Sequence, residues 1–155
     1  MALLSRPMRQ KDVVTLANRL GRNAIKECLL QGVSPEEALR NGVSEGPTRL
    51  VVDEWHLPVG AYGWTHTGYI WSLWGDLTHS QSRIVLKAAP SVIMEAAALH
   101  SPRRLQNWVD VDNRSIRHWL EKTKCFDFAE TLTSPSCGRQ MLKFYTKSIE
   151  ELANV

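Results

Sequence analysis

Residues 107–126 read NWVDVDNRSIRHWLEKTKCF and carry the strongest structural signal in the chain. The run from Trp108 to Val111 is typical of a β-strand, and it leads into the polar pair Asp112–Asn113. An amphipathic helix follows, with its apolar residues on one face, and an aromatic residue, Phe126, comes after it. The segment therefore predicts a strand followed by a packed helix in the second half of the chain.

Further strands and one long helix are predicted on either side of this segment. Met141–Thr146 has the pattern of a closing strand, and a long helix is expected from a cap at Thr78 or Ser80 to about Leu99. Pro90 is expected to kink or break that helix, because proline lacks the N–H and its ring clashes with the preceding turn. Upstream lie three successive strand candidates, Arg49–Trp55, Val59–Thr65 and Tyr69–Trp74.

The N-terminal third is predicted to be one strand and two helical regions. Leu3–Arg6 has the pattern of a strand, and Asp12 is a candidate cap for a helix from Val13 to Leu20 or beyond, after which the apolar pattern resumes and stops at Gly32. Ser34 is expected to cap a short helix over about 35–41. The order β-α-α-βββ-α-β-α-β predicts an α+β fold with a central mixed, mostly antiparallel sheet flanked by helices.

Length and composition narrow the class of protein. A chain of 155 residues predicts a single domain over 1–155, with a core at about 3–148 and a short tail at 149–155. The net charge of +3 neither requires nor excludes nucleic acid, and no specific nucleic-acid partner is predicted. Three cysteines without paired spacing favour a reducing compartment. The sequence shows no signal peptide and no membrane span, so no membrane partner is expected.

The order of elements resembles the Gcn5-related N-acetyltransferase (GNAT) fold over nearly the whole chain. The opening SRPMRQKDVVTLA and the stretch over 51–61 are similar to the family's first strand and helix and to its paired strands. Three further segments resemble the GNAT-like proteins of short-tailed bacteriophages, the group related to internal virion protein A. They are GVSPEEAL (32–39), YIWSLWG (69–75) and NWVDVDN (107–113). The resemblance implies a GNAT-like fold and a role in the phage particle.

Two family features tied to acetyl-CoA are absent. The family carries Q/R-x-x-G-x-G/A before the helix that binds the pyrophosphate, whereas residues 76–83 read DLTHSQSR and contain no glycine. Asn113 matches the family's cofactor-binding asparagine, but Leu120 stands where the family has a tyrosine that protonates the thiolate. We therefore expect no catalytic residue and no bound cofactor. If acetyl-CoA does bind, its candidate contacts are Ser80, Arg83 and Asn113.

Several side chains admit both a structural and a functional interpretation. Asp53 and Glu54 are either a general base for an amine or carboxylates at the end of a strand. Asp110 and Asp112 bind either a substrate or metal, or backbone amides. The histidines have no metal-ligand spacing, so we expect no metal site.

Six tryptophans are many for a chain of this length. They are either core residues or anchors of an interface, since tryptophan is enriched at interface hot spots. The predicted anchors are Trp55, Trp64 and Arg103, because each flanks a turn.

The resulting functional hypothesis is a virion-associated structural or assembly protein that acts by protein–protein interaction. Its partners would be other phage structural proteins, and its location the virion or the host cytoplasm. One alternative is an active N-acetyltransferase that transfers acetyl from acetyl-CoA to an amine. Another is a phage-encoded modulator of a host protein.

Overall fold

The structure is a computed structural model that describes residues 2–155. The chain divides into two compact units, the first ending at Ser82 and the second beginning at Arg83. In the described part of the chain, each unit is built on its own antiparallel sheet, four-stranded in the first and three-stranded in the second. The predicted α+β class is confirmed, while the prediction of a single domain stays a prediction.

The first unit contains three helices between its first and second strands. Its elements are β1 (Leu4–Pro7), a 3-10 turn (Gln10–Asp12), α1 (Val13–Ala17), α2 (Arg22–Leu30), α3 (Pro35–Glu45), β2 (Thr48–Val52), β3 (Pro58–Trp64) and β4 (Ile70–Trp74). The strands lie in the order β1-β2-β3-β4. The core joins helix residues such as Leu16 and Leu39 to strand residues such as Leu50 and Ala61, so the helices pack on the sheet.

Helix α3 is longer than its sequence predicts, because Gly42 lies within the helix and packs against another residue. The predicted cap is confirmed, since Ser34 Oγ accepts a hydrogen bond from the Glu37 amide at 3.1 Å. The helix does not stop at Gly42 but continues to Glu45. A Cβ on Gly42 would overlap the indole ring of Trp71. This glycine therefore admits the tryptophan instead of ending the helix.

For the packing of Trp71, the indole ring as a whole matters more than hydrogen bonding by its nitrogen. Its Nε1 is buried and has no hydrogen-bond partner within residues 2–155. Leaving a buried donor unpaired costs about 1–3 kcal/mol. The indole ring itself packs closely against the Gly42 backbone.

Helix α1 is shorter than predicted. It ends at Ala17, and Leu20 instead forms an isolated antiparallel bridge with Gly75. Asp12 does not act as the side-chain cap of α1. Its carboxylate accepts hydrogen bonds from both terminal nitrogens of Arg6, at 2.9 and 3.0 Å, and from the Arg9 amide at 2.9 Å. The carboxylate therefore ties the end of β1 to the turn before α1.

The long helix α4 (His79–His100) begins in the first unit and continues in the second. It continues as one helix through Pro90, so a break at this residue is wrong, while the predicted kink stays a prediction. The second unit then contains β5 (Gln106–Asp110), α5 (Arg114–Thr123), β6 (Phe126–Thr133), β7 (Gln140–Thr146) and α6 (Ile149–Leu152). Its strands lie in the order β5-β7-β6, and Phe126 and Phe144 meet edge to face with ring centroids 5.3 Å apart.

Strand β6 and helix α6 were not expected from the sequence. In β6 the pairing register shifts between Phe128 and Thr131, which interrupts the two-residue alternation that identifies strands. Helix α6 lies in the segment expected to be a tail. A capping box between Ser148 and Glu151 begins it, and Leu152 is buried.

The Asp12 contacts make stability depend on pH. The hydrogen bonds from Arg6, together with that from the Arg9 amide, hold the pKa of the Asp12 carboxyl below its usual range. A lowered folded-state pKa stabilises the fold above the unfolded-state pKa of about 3.9, and that stability is lost as the pH falls through the folded-state value. Asp12→Asn should therefore cost about 1–3 kcal/mol at pH 7, with a gap that narrows below about pH 3.9.

Urea unfolding of both proteins across pH would measure this gap. The matched control is Glu36→Gln, because Glu36 forms a surface pair with Arg40 at 2.7 Å in which both side chains are more than 40% exposed. That control should lose no more than about 0.5 kcal/mol. A gap for Asp12→Asn that stays constant down to pH 2 would contradict the assignment.

Candidate functional site

The segment after β4, where the resemblance implies a pyrophosphate loop, leads into a helix that caps itself. The Gln81 amide donates to Thr78 Oγ1 at 3.1 Å, and the Thr78 amide donates to Gln81 Oε1 at 2.9 Å. This is a capping box, and Gln81 is buried. Because the helix uses these donors internally, they are not available to an anion. The spacing T-x-x-Q in the sequence was the signal that could have predicted this.

Gly75 serves packing within the first unit. Its amide donates to the Val59 carbonyl at 2.8 Å, and a Cβ at this position would lie 2.7 Å from the Arg19 carbonyl oxygen. On the other edge of β4, the Trp74 carbonyl accepts a hydrogen bond from the Gly21 amide at 3.0 Å. The connection between α1 and α2 therefore occupies the end of β4, and the glycine allows its close approach.

The candidate cofactor contacts divide between the two units. Ser80 is exposed in the first turn of α4, in the first unit. Arg83 is exposed and Asn113 is partly exposed, and both belong to the second unit. Asn113 caps α5, because its Oδ1 accepts a hydrogen bond from the Ile116 amide at 3.2 Å. Leu120, in place of the family's tyrosine, is buried and has no transferable proton.

The contacts of Asp110 and Asp112 support a structural role. Arg139 donates from Nε to Asp110 at 2.7 Å and from Nη2 to Asp112 at 3.1 Å. Asp110 is buried and also accepts a hydrogen bond from the Asp112 amide at 3.0 Å. These carboxylates therefore hold the end of β5 to the residue that precedes β7. The sequence did not point to Arg139, which lies far along the chain from both.

Asp53 organises the turn between β2 and β3, so its structural interpretation is also supported. Its Oδ1 accepts hydrogen bonds from the amides of Trp55 at 2.9 Å and Leu57 at 3.0 Å. His56 adopts a left-handed conformation with φ of 62°. The strand β2 ends at Val52, short of the predicted Trp55, and the buried Asp53 carboxylate is used to hold the turn that follows.

The three predicted interface anchors differ in exposure. Trp55 is 71% exposed at the tip of the turn organised by Asp53. Trp64 is only 6% exposed, so the expectation that it faces outward is wrong. It is the last residue of β3 and pairs with Ile70, which places it in the sheet and not in the turn. Arg103 is exposed in the segment between α4 and β5.

Within residues 2–155, no three His, Cys, Asp or Glu side chains are grouped so that they would hold a metal ion. None of the helices in this part of the chain combines the length and the apolar character needed to cross a bilayer.

The fold is that of the GNAT acetyltransferases. No family model matches the sequence. A search of curated proteins finds no match either. Solved structures do match. A chimera of spermidine N-acetyltransferase SpeG from Vibrio cholerae and hSSAT has a TM-score of 0.72 at 14% identity, with 100% of each chain covered.

Two further solved structures have a fold similar to that of this chain. A GNAT-family acetyltransferase from Bacillus anthracis has a TM-score of 0.68 at 15% identity, covering 97% of this chain and 96% of that one. Spermidine N-acetyltransferase from Vibrio cholerae, in complex with CoA and spermine, has a TM-score of 0.69 at 12% identity, with 98% of each chain covered. At such low identity the likeness shows the fold alone.

The cysteines should differ sharply in reactivity. Burial raises the pKa of the Cys28 thiol to about 11, and burial also raises the pKa of Cys125. Hydrogen bonding with Ser134 and with the backbone of Arg139 lowers the pKa of the Cys137 thiol. Since the thiolate is the reactive form, iodoacetamide should alkylate Cys137 first in the native protein. Peptide mass spectrometry would identify the labelled residue.

The Cys137→Ser variant should lose this rapid labelling. In denaturant, Cys28 and Cys125 of the same variant should react at similar rates, which shows that the fold protects them. Rapid labelling of Cys28 in the native protein would contradict the prediction.

Proposed function

We propose that this chain is a non-catalytic GNAT-fold protein that acts by binding other proteins, in the setting of a bacteriophage particle. The observation that carries the proposal is Trp55, which is 71% exposed on a turn fixed by hydrogen bonds to Asp53. Tryptophan is enriched at interface hot spots, and this turn holds its backbone in place. The phage setting rests on the resemblance of residues 32–39, 69–75 and 107–113.

The surroundings of Trp55 favour an interface. Leu57, in the same turn, is 44% exposed. Leu4, which is 56% exposed, pairs in register with Val52 at the end of β2 from which the turn starts. Tryptophan is enriched at interface hot spots, and neighbouring groups that exclude water commonly surround such a residue. Because the Trp55 backbone is already fixed, binding orders less of the chain, which reduces its entropic cost.

Polar groups in the segments matched to the family's cofactor and substrate sites are used for structure, which supports a non-catalytic role. Thr78 and Gln81 cap α4, Asn113 caps α5, and the Asp53 carboxylate holds a turn. Leu120 supplies no proton. Thr78, Gln81, Asn113 and Asp53 each have a partner within their own unit, whereas Ser80 and Arg83 are exposed.

An active N-acetyltransferase is the second candidate. The solved structures described above are N-acetyltransferases, and two of them are named for spermidine. Ser80 and Arg83 are exposed on α4 and are the side chains through which such an activity would contact a phosphate. On this alternative, acetyl-CoA is the cofactor and a polyamine is the first substrate to test.

Acetyl-CoA binding separates the two candidates. Under the main proposal, calorimetry with acetyl-CoA up to about 1 mM should show no binding heat, and the same ligand should not raise the melting temperature. The physical reason is that the amides of Thr78 and Gln81 bond within the capping box and that residues 76–83 contain no glycine. Micromolar binding together with acetylation of spermidine would establish the enzyme instead.

Substitution of Trp55 tests the association directly. Trp55→Ala should leave the melting temperature nearly unchanged, because exposed substitutions usually change stability by less than about 0.5 kcal/mol. Binding to phage structural proteins should weaken by about 30-fold or more, the loss of about 2 kcal/mol expected for a hot spot. Biolayer interferometry with purified phage structural proteins would measure this loss.

The matched control is Tyr69→Ala, which removes another exposed aromatic from the first unit, 41% exposed before β4. That variant should bind like the parent. Equal binding by Trp55→Ala, or absence of the chain from purified particles, would contradict the proposal.

A further inference from the structure

The second half of helix α3 contains an asparagine followed directly by a glycine, Asn41–Gly42. In an open chain this pair is especially prone to spontaneous deamidation, because glycine has no side chain to hinder attack by its own amide nitrogen. None of the other asparagines in the sequence precedes a glycine. The pair is therefore a candidate site of covalent modification, and its fate depends on the conformation of α3.

The helical backbone keeps the two reacting groups of this pair apart. The Gly42 amide lies beyond the first turn of α3, where each amide donates to the carbonyl four residues earlier, so its hydrogen is engaged. A helical residue has a ψ angle of about −42°, and this bond must rotate before the Gly42 nitrogen can reach the side-chain carbonyl carbon of Asn41. Although the Asn41 side chain is exposed, the intact helix therefore prevents the reaction.

Contacts from three other elements hold this part of α3 in place. Thr48 Oγ1, on β2, donates to the Gly42 carbonyl at 3.0 Å in a buried hydrogen bond. The indole of Trp71, on β4, lies against the Gly42 backbone where a Cβ would be. Gln10 Nε2, in the 3-10 turn, donates to Ser44 Oγ at 3.1 Å. The backbone of the reactive pair is therefore fixed by tertiary packing within the first unit.

Intrinsic helix propensity contributes little at the same place. Residues 41–44 read Asn-Gly-Val-Ser, four successive residues that rank below alanine, leucine and glutamate as helix formers. Glycine also gains more backbone freedom than any other residue when a helix opens. The second half of α3 therefore depends on its tertiary contacts, and it opens when they are lost.

We propose that Asn41–Gly42 is a latent deamidation site, which the packing of Gly42 against Trp71 keeps closed and which reacts when α3 opens. The Gly42 nitrogen then gives its proton to solvent hydroxide and attacks Cγ of Asn41. A C–N bond forms, and the side-chain nitrogen of Asn41 leaves as ammonia. One water molecule opens the resulting succinimide at either carbonyl, which leaves aspartate or isoaspartate at residue 41. Only water is consumed and only ammonia is released.

The two products differ in whether α3 can form again. Aspartate keeps the normal backbone at an exposed position, although Glu37 and Glu45 lie four residues away on either side and add a weak repulsion. Isoaspartate routes the main chain through Cβ, and the added carbon displaces the amides that follow from their helical partners. Gly42 then no longer reaches Trp71, so the first unit does not regain its packing. This site does not depend on the function proposed above.

The test ages the full-length protein at mildly alkaline pH, in native buffer and in urea, and follows the tryptic peptide over 41–49 by mass spectrometry. Deamidation of Asn41 should be at least tenfold faster in urea. A tenfold difference corresponds to about 1.4 kcal/mol of opening free energy. Asn23, which lies in α2 and precedes Ala24, is the internal control and should react more slowly than Asn41 in urea.

Two variants and the separated products test the role of the Gly42 contact. Trp71→Ala should raise the rate at Asn41 in native buffer at least tenfold, whereas Ser72→Ala, exposed on the same strand, should stay within twofold of the parent. After chromatographic separation, the aspartate form should refold and the isoaspartate form should not. Equal rates for the parent in buffer and in urea, an unchanged rate in Trp71→Ala, or an isoaspartate form that melts like the parent would overturn the proposal.

Discussion

The first unit depends on the contacts between the end of β4 and the connection from α1 to α2. Gly75 bonds to Val59 on one side and bridges Leu20 on the other, while the Gly21 amide bonds to the Trp74 carbonyl. These contacts fix where α1 ends and where α2 begins. The short segment after them leads directly into the capping box of α4. A substitution that adds a side chain at Gly75 would therefore disturb the helices and the sheet together.

Much of the fold follows from local signals that were visible in the sequence. The cap at Ser34, the strand over Tyr69–Trp74 and the strand–Asn–helix segment around Asn113 each depend on residues close in the chain. The errors came from distant contacts. From the sequence alone Gly42 predicts a helix end, whereas in the structure it packs against Trp71 within the helix. The register shift in β6 interrupts the alternation of residues by which a strand is identified.

The candidate site, like the fold, could be predicted from the sequence only in part. The missing groups could be predicted, because the sequence shows directly that residues 76–83 contain no glycine and that residue 120 is leucine instead of tyrosine. The role of Asn113 was not predictable, because an asparagine at this position suits a ligand contact and a helix cap equally well. Burial of Trp64 and exposure of Trp55 were likewise indistinguishable, since both lie beside turns in the sequence. Side-chain direction is set by strand pairing, which a single sequence does not state.

The contact between Gly42 and Trp71 also bears on how this sequence can change over evolution. The indole occupies the volume that a Cβ at residue 42 would need, so the two positions form a single packing unit across α3 and β4. Alanine at position 42 becomes acceptable only after the tryptophan is exchanged for a smaller residue, and that exchange alone leaves a void. Either change is therefore disfavoured as a first step. Homologous chains should consequently show the two positions varying together or not at all.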